Sequence, residues 1–535
     1  MRCGISLLAL LAALVSSSSA GATGWLSSVP VTNQVASSPV AGGGYPVPPG
    51  ARAPLPGTCR PGQLNSNHSE SWLAVRPGSE DLVGTSKFFF ENFSTYYNFY
   101  LGSYTIPGGV PAGNNQVQGY ECTTTGTQAI PPDWMDVTDP NAAFDTQGRV
   151  YQTTLPFQPF WVSGLNPNGE IDLSYSDDMG RHWVKGNGGQ PLEPTNNASS
   201  KQAGHVEDKQ WVAVNSIRGN PFQDHVYAMW TVYNGSTAKI RGAVSDTRGL
   251  TFAKSFTLSA PSQTGKVNEY VYPSIDAAGN VFAAYHGSGG DLWVTYSKDD
   301  GTTWAPFVLA AQTQPLPATD LPNTTFRDGI IENFTASPTW PGHVYLTYEY
   351  WDGSQMDVKF TQSTDYGQHW SAPATVNDNA DASDQFQPSV AAGPNGAVAV
   401  AFYDRRLACP NDASILRADR GRTNFCVNIS LQAYKDDGFG AVPVAHNVRV
   451  SRYTWDPQQP GQNVGGLPQL PCADANCAST FIGDYFGLAI SQRNIYTLGV
   501  STHYPAAGVS ADGGGPVYYQ QQVLGTVARS AFGDY

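Results

Sequence analysis

The chain has 535 residues and a formal net charge of −14, and only 13% of its residues are charged. Such a chain lacks the broad basic surface that attracts a nucleic-acid backbone, so nucleic acid is not expected as a partner. Its 56 glycines, 39 prolines and 12% aromatic residues are typical of short strands divided by tight turns. This composition predicts an all-β protein.

The first twenty residues, 1–20, are predicted to be a signal peptide. Arg2 gives a basic start, residues 5–15 form an apolar run, and small residues lead to Ala20. This order is typical of a secretory signal, and the run is too short to span a bilayer. No later stretch is apolar for long enough to do so. We therefore expect a secreted, extracellular protein with no membrane span.

Residues 21–62 are rich in Pro, Gly and Ser, and we interpret them as a segment that precedes the folded domain. Cysteines that follow the signal predict disulfides between sequence neighbours: Cys59–Cys122, Cys409–Cys426 and Cys472–Cys477. Because six cysteines allow fifteen pairings, other connectivities stay open. Seven N-x-S/T sequons are consistent with a secreted glycoprotein.

A turn motif repeats along residues 63–535, the predicted propeller domain. Four segments follow the pattern S-x-D-x-G-x-(T/H)-W or a close variant, and a fifth is degraded. The serine and aspartate can bond backbone amides, the glycine supplies a positive φ, and the aromatic residue fills the sheet. The segments are 176–183, 245–252, 297–304, 363–370 and, in degraded form, 434–439.

A unit of two strands recurs upstream of these turns. Seven copies of this unit predict a seven-bladed β-propeller, in which radial repetition of four-stranded sheets protects the strand edges. A six-bladed ring, with the first or last copy completing a shared blade, is the alternative. The C-terminal strand over 517–523 is expected to close the ring beside an N-terminal strand.

The repeated turn is the Asp box, and the chain resembles the sialidase (neuraminidase) superfamily and its Asp-box relatives over roughly residues 65–525. Three fragments look like that wider group: 208–211 (DKQW), 403–406 (YDRR) and 481–485 (FIGDY). Sialidases carry an arginine in the first blade that binds the sialate carboxylate. Here residues 70–73 read ESWL, and Arg76 follows only in the next turn. The resemblance therefore implies a sialidase-like propeller that is not a clear true sialidase.

The two faces of the predicted ring differ in loop length. Asp-box turns and inner hairpins lie on one face, which we call the box face, and long irregular loops lie on the other, the loop face. Long loops on a rigid scaffold are where binding sites form. We therefore expect the box aspartates to be structural and the functional residues to flank strand ends on the loop face.

Carboxyl groups on the loop face are the candidate catalytic residues, because glycoside hydrolysis usually uses two carboxyl groups that flank the scissile bond. We expect Asp208 and Asp328 first, then Glu269 and Glu332. Tyr272 lies three residues after Glu269, a spacing that fits a tyrosine nucleophile activated by a glutamate. Asp404 is a further candidate, either as acid or base or as the residue that orients an arginine.

Cations and polar groups beside these carboxyls are predicted to bind substrate. Arg405 or Arg406 offers a bidentate fork for a sugar carboxylate, with an inter-blade ion pair as the alternative role. The full substrate-binding prediction is Arg405, Arg406, Arg327, Lys209, His286, His503 and Asp484. No metal site and no cofactor are predicted, and a structural calcium ion is left open.

The function predicted from the sequence is a secreted, monomeric, sialidase-like glycoside hydrolase that acts on a terminal acidic sugar of a glycan. A polysaccharide lyase is the second reading, because His205, His286, His503 or a tyrosine can remove a proton beside a uronate carboxylate. A glycan-binding propeller without catalysis is the third, with Trp161, Tyr350 and Trp351 as stacking platforms.

Overall fold

The computed structural model describes most of the predicted propeller. The described residues are 29–37, 68–89, 99–116, 136–158, 168–193, 205–316, 321–322, 324, 326, 328, 332–407, 426–455, 481–509, 516–518, 520–533 and 535. The signal peptide, Arg327, Trp161 and all predicted disulfide cysteines except Cys426 lie outside them, as does the His205 side chain. The predictions for these residues therefore stay predictions.

The first four blades follow one another along the chain, after strand β1 (Val31–Val35). Blade 1 contains β2 (His68–Val75), β3 (Leu82–Phe89), β4 (Phe99–Ile106) and β5 (Gly113–Gln116). Blade 2 contains β6 (Asp136–Thr138), β7 (Ala143–Phe144), β8 (Val150–Gln158), β9 (Asn168–Gly169), β10 (Asp172–Ser176) and β11 (Val184–Lys185). Blade 3 contains β12 (His205–Val214), β13 (Val226–Asn234), β14 (Thr237–Ser245) and β15 (Lys254–Leu258). Blade 4 contains β16 (Asn268–Ile275), β17 (Val281–Gly287), β18 (Asp291–Ser297) and β19 (Val308–Gln312).

Three further blades complete the ring. Blade 5 contains β20 (Glu332–Ala336), β21 (Val344–Trp351), β22 (Met356–Ser363) and β23 (Ala374–Thr375). Blade 6 contains β24 (Gln385–Ala392), β25 (Ala397–Asp404), β26 (Asn428–Asp436), β27 (Ala441–Pro443) and β28 (Val448–Arg449). Blade 7 contains β29 (Gly487–Ile490) and β30 (Asn494–Ser501), while β31 (Pro505–Val509) and β32 (Pro516–Tyr518) pair only with each other, and β33 (Gln521–Ala528) returns to blade 7.

The innermost strands contact one another around a closed ring. Strands β2, β7, β12, β16, β20, β24 and β29 follow in this order, and β29 returns to β2. The prediction of a seven-bladed, all-β propeller is confirmed, and the six-bladed alternative is wrong. The helical segments of the described residues are short 3₁₀ turns. None of the described helices is long and apolar enough to cross a bilayer.

The two ends of the described chain close the ring in blade 7. Strand β33 pairs with β30 on one side and with β1 on the other, from Val31 opposite Val527 to Val35 opposite Val523. Strand β1 lies inside the segment 21–62, so part of this segment belongs to the propeller and not to a linker. Pairing the chain ends in one sheet satisfies strand edges that would otherwise be exposed.

Strand β25 shows why the blades pack as layers. All eight of its residues are buried, because a neighbouring blade covers each face of the sheet. Val398, Val400 and Phe402 pack against blade 5, whereas Ala399, Ala401 and Tyr403 pack towards blade 7. Side chains of a strand alternate between faces, so burial on both faces gives a continuous apolar run.

The Asp boxes form the turns that the sequence predicts. In the first box Ser176 Oγ accepts the Gly180 amide at 2.9 Å, and Asp178 Oδ1 accepts the His182 amide at 2.9 Å. The Trp183 indole donates to the Gly180 carbonyl oxygen at 3.1 Å. The boxes of blades 4 and 5 repeat this pattern. These aspartates therefore hold turns on the box face.

Candidate functional site

The inner strands share a backbone irregularity at the same level of the ring. In blades 1, 3, 4 and 6 the pairing of the first two strands shifts register near the loop face. Residues with side chains adopt positive φ there, namely Glu70 (48°), Lys209 (48°), Tyr270 (54°) and Gln387 (46°), and Asp139 (57°) does so in blade 2. Each costs about 1–3 kcal/mol, and such strain concentrates at functional sites. The repetition makes this level of the ring the candidate site.

Blade 7 has a glycine at the corresponding place. Gly483 has φ 107° and packs against the backbone of blade 1, where a Cβ would lie 2.4 Å from the Glu70 nitrogen. No side chain fits there, so blade 7 contributes the next residue, Asp484, to the site. The fragment FIGDY thus has a local structural reason for its glycine and presents its aspartate to the site.

The strained residues bring charged side chains from several blades together. We define the central cluster as Glu70, Lys87, Asp139, Asp208, Lys209, Glu269, Asp328, Glu349 and Asp484. Lys209 Nζ lies 2.9 Å from Asp484 Oδ2 and 3.5 Å from Asp139 Oδ1, which joins blades 2, 3 and 7. Lys87 Nζ lies 2.9 Å from Glu70 Oε2 in blade 1. The cluster contains more carboxyl groups than ammonium groups.

Burial and crowding shift the pKa values of this cluster. Burial raises the pKa of Asp208 well above its usual range, an effect that Lys209 opposes and Asp139 reinforces. Burial would lower the pKa of Lys209, but the carboxylates of Asp139 and Asp484 raise it well above its usual range. The cluster therefore holds Lys209 charged while it keeps protons on some carboxyl groups.

Asp328 and Glu349 form a carboxyl pair in blade 5. Burial raises the pKa of Asp328 to about 7, an effect that contacts with Glu349 and Gln387 oppose and that Asp484 reinforces. Burial raises the pKa of Glu349 well above its usual range, and Asp328 raises it further. Glu349 Oε1 accepts the Gln387 amide, which fixes its position. Both oxygens of Asp328 are buried, beside Glu349 and Gln387.

Aromatic rings form a floor on the box-face side of the cluster. The floor consists of Trp72, Trp211, Tyr272 and Tyr485, each two residues after a strained position. Ring centroids of Trp211 lie 4.6 Å from Trp72, 5.0 Å from Tyr272 and 5.0 Å from Tyr485, all edge to face. These aromatic side chains fill the axis of the propeller, so the central cluster lies on their loop-face side.

The structure brings together five of the predicted site residues. Asp208, Glu269, Asp328, Lys209 and Asp484 share the central cluster. Burial raises the pKa of Glu269, and the Tyr233 hydroxyl and Lys209 oppose this effect. Tyr272 lies in the floor instead, fully packed against Trp211, and burial followed by Glu332 raises its pKa well above its usual range. Tyr272 is thus buried as a neutral phenol.

The residues Asp404, Arg405 and Arg406 lie elsewhere, in a buried network of blade 6. Arg405 Nη1 lies 3.0 Å from Asp384 Oδ2, and Arg406 Nε lies 2.7 Å from Asp404 Oδ2. Arg406 Nη1 also contacts Asp378 at 2.8 Å. These contacts engage both guanidinium groups in buried ion pairs within the protein.

The two predicted histidines lie in different places. His286 is opposite Glu269 in the strand register and stacks on Tyr270 at 6.0 Å, beside the cluster. Burial lowers the pKa of His286 to about 4, so its ring is neutral at pH 7. His503 lies in blade 7 and stacks on Tyr453 with ring centroids 3.9 Å apart. His503 therefore belongs to a separate surface.

The sequence analysis did not select four residues of the central cluster as site residues: Glu70, Lys87, Asp139 and Glu349. It also did not select Gln387, whose backbone amide donates to Glu349. A signal was present, because a polar residue stands two positions before an aromatic floor residue at Glu70–Trp72, Lys209–Trp211 and Tyr270–Tyr272. Among the residues that the structure describes, no group of three or more His, Cys, Asp and Glu side chains is arranged to hold a metal ion.

Comparisons with known proteins find likeness at the level of the chain path. No protein-family model and no curated protein matches the sequence. Similar solved structures include a Hadza microbial sialidase at 16% identity, with 63% of each chain covered and a TM-score of 0.40. The chain thus spans less than two thirds of that sialidase.

Two other solved structures cover more of the chain. An α-L-arabinofuranosidase from Fusarium graminearum has 12% identity, covers 74% of this chain and 94% of its own, and has a TM-score of 0.39. An ulvan lyase, from a polysaccharide lyase family, has 10% identity, covers 86% and 94%, and has a TM-score of 0.43. At these identities and TM-scores, the activities of these proteins are not assigned to this chain. The blades and Asp boxes of the chain itself define a sialidase-like Asp-box β-propeller.

Proposed function

We propose that the protein is a glycoside hydrolase that removes a terminal sugar from a glycan at the central cluster. The observation that supports this proposal is a pair of neighbouring carboxyl groups in opposite environments. Burial raises the pKa of Asp328 to about 7, whereas Asp484 is ion-paired with Lys209 at 2.9 Å. Carboxyl groups whose environments separate their protonation states are suited to act as acid and as base or nucleophile.

In this proposal Asp328 is the general acid. Its proton goes to the glycosidic oxygen as the bond from that oxygen to the sugar carbon breaks, and the aglycone leaves as an alcohol. Asp484, held as a carboxylate by Lys209, supports the positive charge that develops on the sugar ring. In one route it then forms a bond to the sugar carbon, and water, deprotonated by Asp328, later breaks that bond; in the other it takes a proton from water as the water oxygen bonds to the sugar carbon. Glu349 and Gln387 are positioning residues for Asp328.

The charge of the central cluster bears on whether the bound sugar is neutral or anionic. Both lysines are already paired with carboxylates, and further carboxyl groups surround them. An anionic sugar placed there would be repelled by the carboxylates of the cluster. Arg405 and Arg406 would not offset this repulsion, because they are ion-paired in blade 6. We therefore propose a neutral terminal sugar at the cluster in place of the acidic sugar that the sequence suggests.

An eliminating enzyme is the second candidate, and His286 is the observation that favours it. This histidine lies beside the cluster and is neutral at pH 7, because burial lowers its pKa to about 4. A neutral imidazole can act as the base that a lyase needs. Elimination requires a uronate, however, and the described cluster offers no unpaired cation for its carboxylate.

Mass spectrometry of reaction products tests the proposal. The purified protein is incubated with neutral, uronate-containing and sialylated glycans. Hydrolysis yields a product pair that has gained one water, whereas elimination yields products without that gain. We expect hydrolysis of a neutral glycan, and Asp328→Asn and Asp484→Asn should each slow it by about 10²-fold or more. Asp437→Asn, at an exposed carboxylate on the box face, is the control and should keep full activity. If no glycan changes mass, the proposal of an enzyme is contradicted and glycan binding without catalysis becomes the favoured function.

A further inference from the structure

Gln387 stands in blade 6, between the blades that supply the two carboxyl groups of the proposed reaction. It belongs to the innermost strand, β24, whereas Asp328 comes from blade 5 and Asp484 from blade 7. Gln387 is buried, and its φ of 46° falls within the register shift of β24. Positive φ is unfavourable for a residue with a side chain, so the contacts around Gln387 must hold it in this conformation.

On the blade 5 side, Gln387 contacts the carboxyl pair with its main chain and its side chain. Its backbone amide donates to Glu349 Oε1. Its side-chain amide group lies beside Asp328, which also contacts Glu349. The main chain of Gln387 therefore fixes Glu349, and its side chain meets the proposed general acid directly.

On the blade 7 side, the same side chain holds the backbone that carries Asp484. Gln387 Nε2 donates to the Gly483 carbonyl oxygen at 2.7 Å. Gly483 also packs against the backbone of Glu70. Asp484 follows directly, and its carboxylate lies 2.9 Å from Lys209 Nζ. Asp484 is thus fixed through its backbone by Gln387 and through its side chain by Lys209.

The orientation of the Gln387 amide group follows from these partners. A carbonyl oxygen only accepts, so the atom that faces Gly483 is the nitrogen, which carries two hydrogens. One is donated to Gly483, and the second can be donated to Asp328. Burial raises the pKa of Asp328 to about 7, and hydrogen bonding by Glu349 and Gln387 opposes this effect. Two further carboxyl groups raise the same pKa: Asp484 and Asp384.

We infer that Gln387 is a positioning residue for both carboxyl groups and that it fixes the separation between Asp328 and Asp484. The separation of two carboxyl groups decides whether a glycosidase retains or inverts the configuration at the sugar carbon. Gln387 thereby holds the pair to one of these two courses. The inference rests on the proposed function in that Asp328 and Asp484 are the acting pair, and it extends the role of Gln387 from the acid to the anion.

Titration of Asp328 without any substrate tests the inference. Aspartate carboxyl carbons are labelled with carbon-13 in the full chain, and the NMR signal of Asp328 is the one that Asp328→Asn removes. Gln387→Met deletes the amide group at nearly constant length. The pKa of Asp328 should then rise by about half a unit or more, because a hydrogen bond to its charged form is lost. Gln387→Glu should raise it further, because another carboxyl group then stands beside it.

The coupling between the two carboxyl groups is measured with Asp484→Asn. In the unchanged protein this substitution should lower the pKa of Asp328, since it removes a neighbouring negative charge. In the Gln387→Met background the lowering should be smaller, because the two carboxylates repel each other and are no longer held at a fixed separation. With a hydrolysed glycan, Gln387→Met should lower kcat by about 10-fold or more at nearly constant KM. The alkaline limb of its pH–rate profile should move to higher pH with the pKa of Asp328.

Gln432→Met is the matched control. Gln432 is buried in the same blade, and its Nε2 donates to the Ala445 carbonyl oxygen at 2.7 Å, so a similar hydrogen bond is lost outside the central cluster. The pKa of Asp328 and kcat should stay as in the unchanged protein. Gln387→Glu keeps the length of the side chain and decides the inference if Gln387→Met does not fold.

Two results would overturn the inference. One is an unchanged pKa of Asp328 in the Gln387 variants, and the other is an equal effect of Asp484→Asn with and without the Gln387 amide group. The titrations need no substrate, so they decide the role of Gln387 even if no glycan is hydrolysed. Absence of hydrolysis contradicts the proposed function alone.

Discussion

Replacing Asp328 by Asn should make the protein less active and more stable at the same time. Asn keeps the shape of the protonated carboxyl group but has no proton to donate to a leaving group. General acid catalysis contributes about 10²- to 10⁴-fold, so kcat should fall by that factor. The gain in stability arises because the unfolded chain can ionise this carboxyl group, whereas burial opposes its ionisation in the folded protein.

The size of the gain follows from the pKa. Burial raises the pKa of Asp328 from 3.8 to about 7, so the folded protein binds the proton more tightly than the unfolded chain does. The cost to the folded state therefore begins as pH rises above 3.8 and is complete above about 7. At about 1.4 kcal/mol per pKa unit, it amounts to about 2 kcal/mol at pH 5 and about 4 kcal/mol at pH 8. Asn removes this cost.

Urea unfolding at the two pH values measures the effect. The stability of Asp328→Asn relative to the unchanged protein should be larger at pH 8 than at pH 5 by about 2 kcal/mol. Asp437→Asn, at a carboxylate exposed by 75% of its side chain, should show no such difference. Equal gains at the two pH values, or an active Asp328→Asn variant, would contradict the assignment of Asp328 as a protonated buried acid.

Three further changes test the site and its support. Asp484→Asn removes the anion beside Lys209, and kcat should fall by about 10²-fold or more. Asp436→Asn should destabilise the fold by about 1–2 kcal/mol, because Asp436 accepts hydrogen bonds from His343 and Tyr345 at 2.7 Å each. These bonds lower the pKa of Asp436 to about 2, so its advantage is present above pH 4 and is lost as pH falls through about 2, which urea unfolding at pH 6 and pH 3 will show. Trp211→Ala should cost about 3–5 kcal/mol and lower Tm, whereas Trp211→Phe should cost less.

The fold could be predicted from the sequence because its signals are local and repeated. Each Asp box needs only a serine, an aspartate, a glycine and an aromatic residue within eight positions, and the hydrogen bonds of Ser176 and Asp178 close inside that turn. The boundary at residue 62 was less accurate. Strand β1 carries too few residues to show a period of its own, and its partner β33 lies almost five hundred residues away.

The charged layer could be predicted only in part, because it depends on contacts between distant blades. Asp208, Asp328 and Asp484 were found from their position near strand starts. The arginines of blade 6 were assigned to substrate because sequence does not show that Asp384 and Asp404 occupy them. The sequence also does not show that Glu70 belongs to the cluster. Its place there depends on the register shift of β2, where Glu70 adopts a positive φ of 48°.

The layer on which the proposed chemistry depends contains features that cost free energy. Strained backbone at five inner positions and raised carboxyl pKa values each cost free energy. The rest of the propeller offsets this cost: apolar strands such as β25 are buried on both faces, and bonds such as those of Asp436 tie one blade to the next. If the charged layer had only a structural role, apolar residues at its positions would give a more stable ring. The charged layer is therefore in keeping with the ligand chemistry that we propose for it.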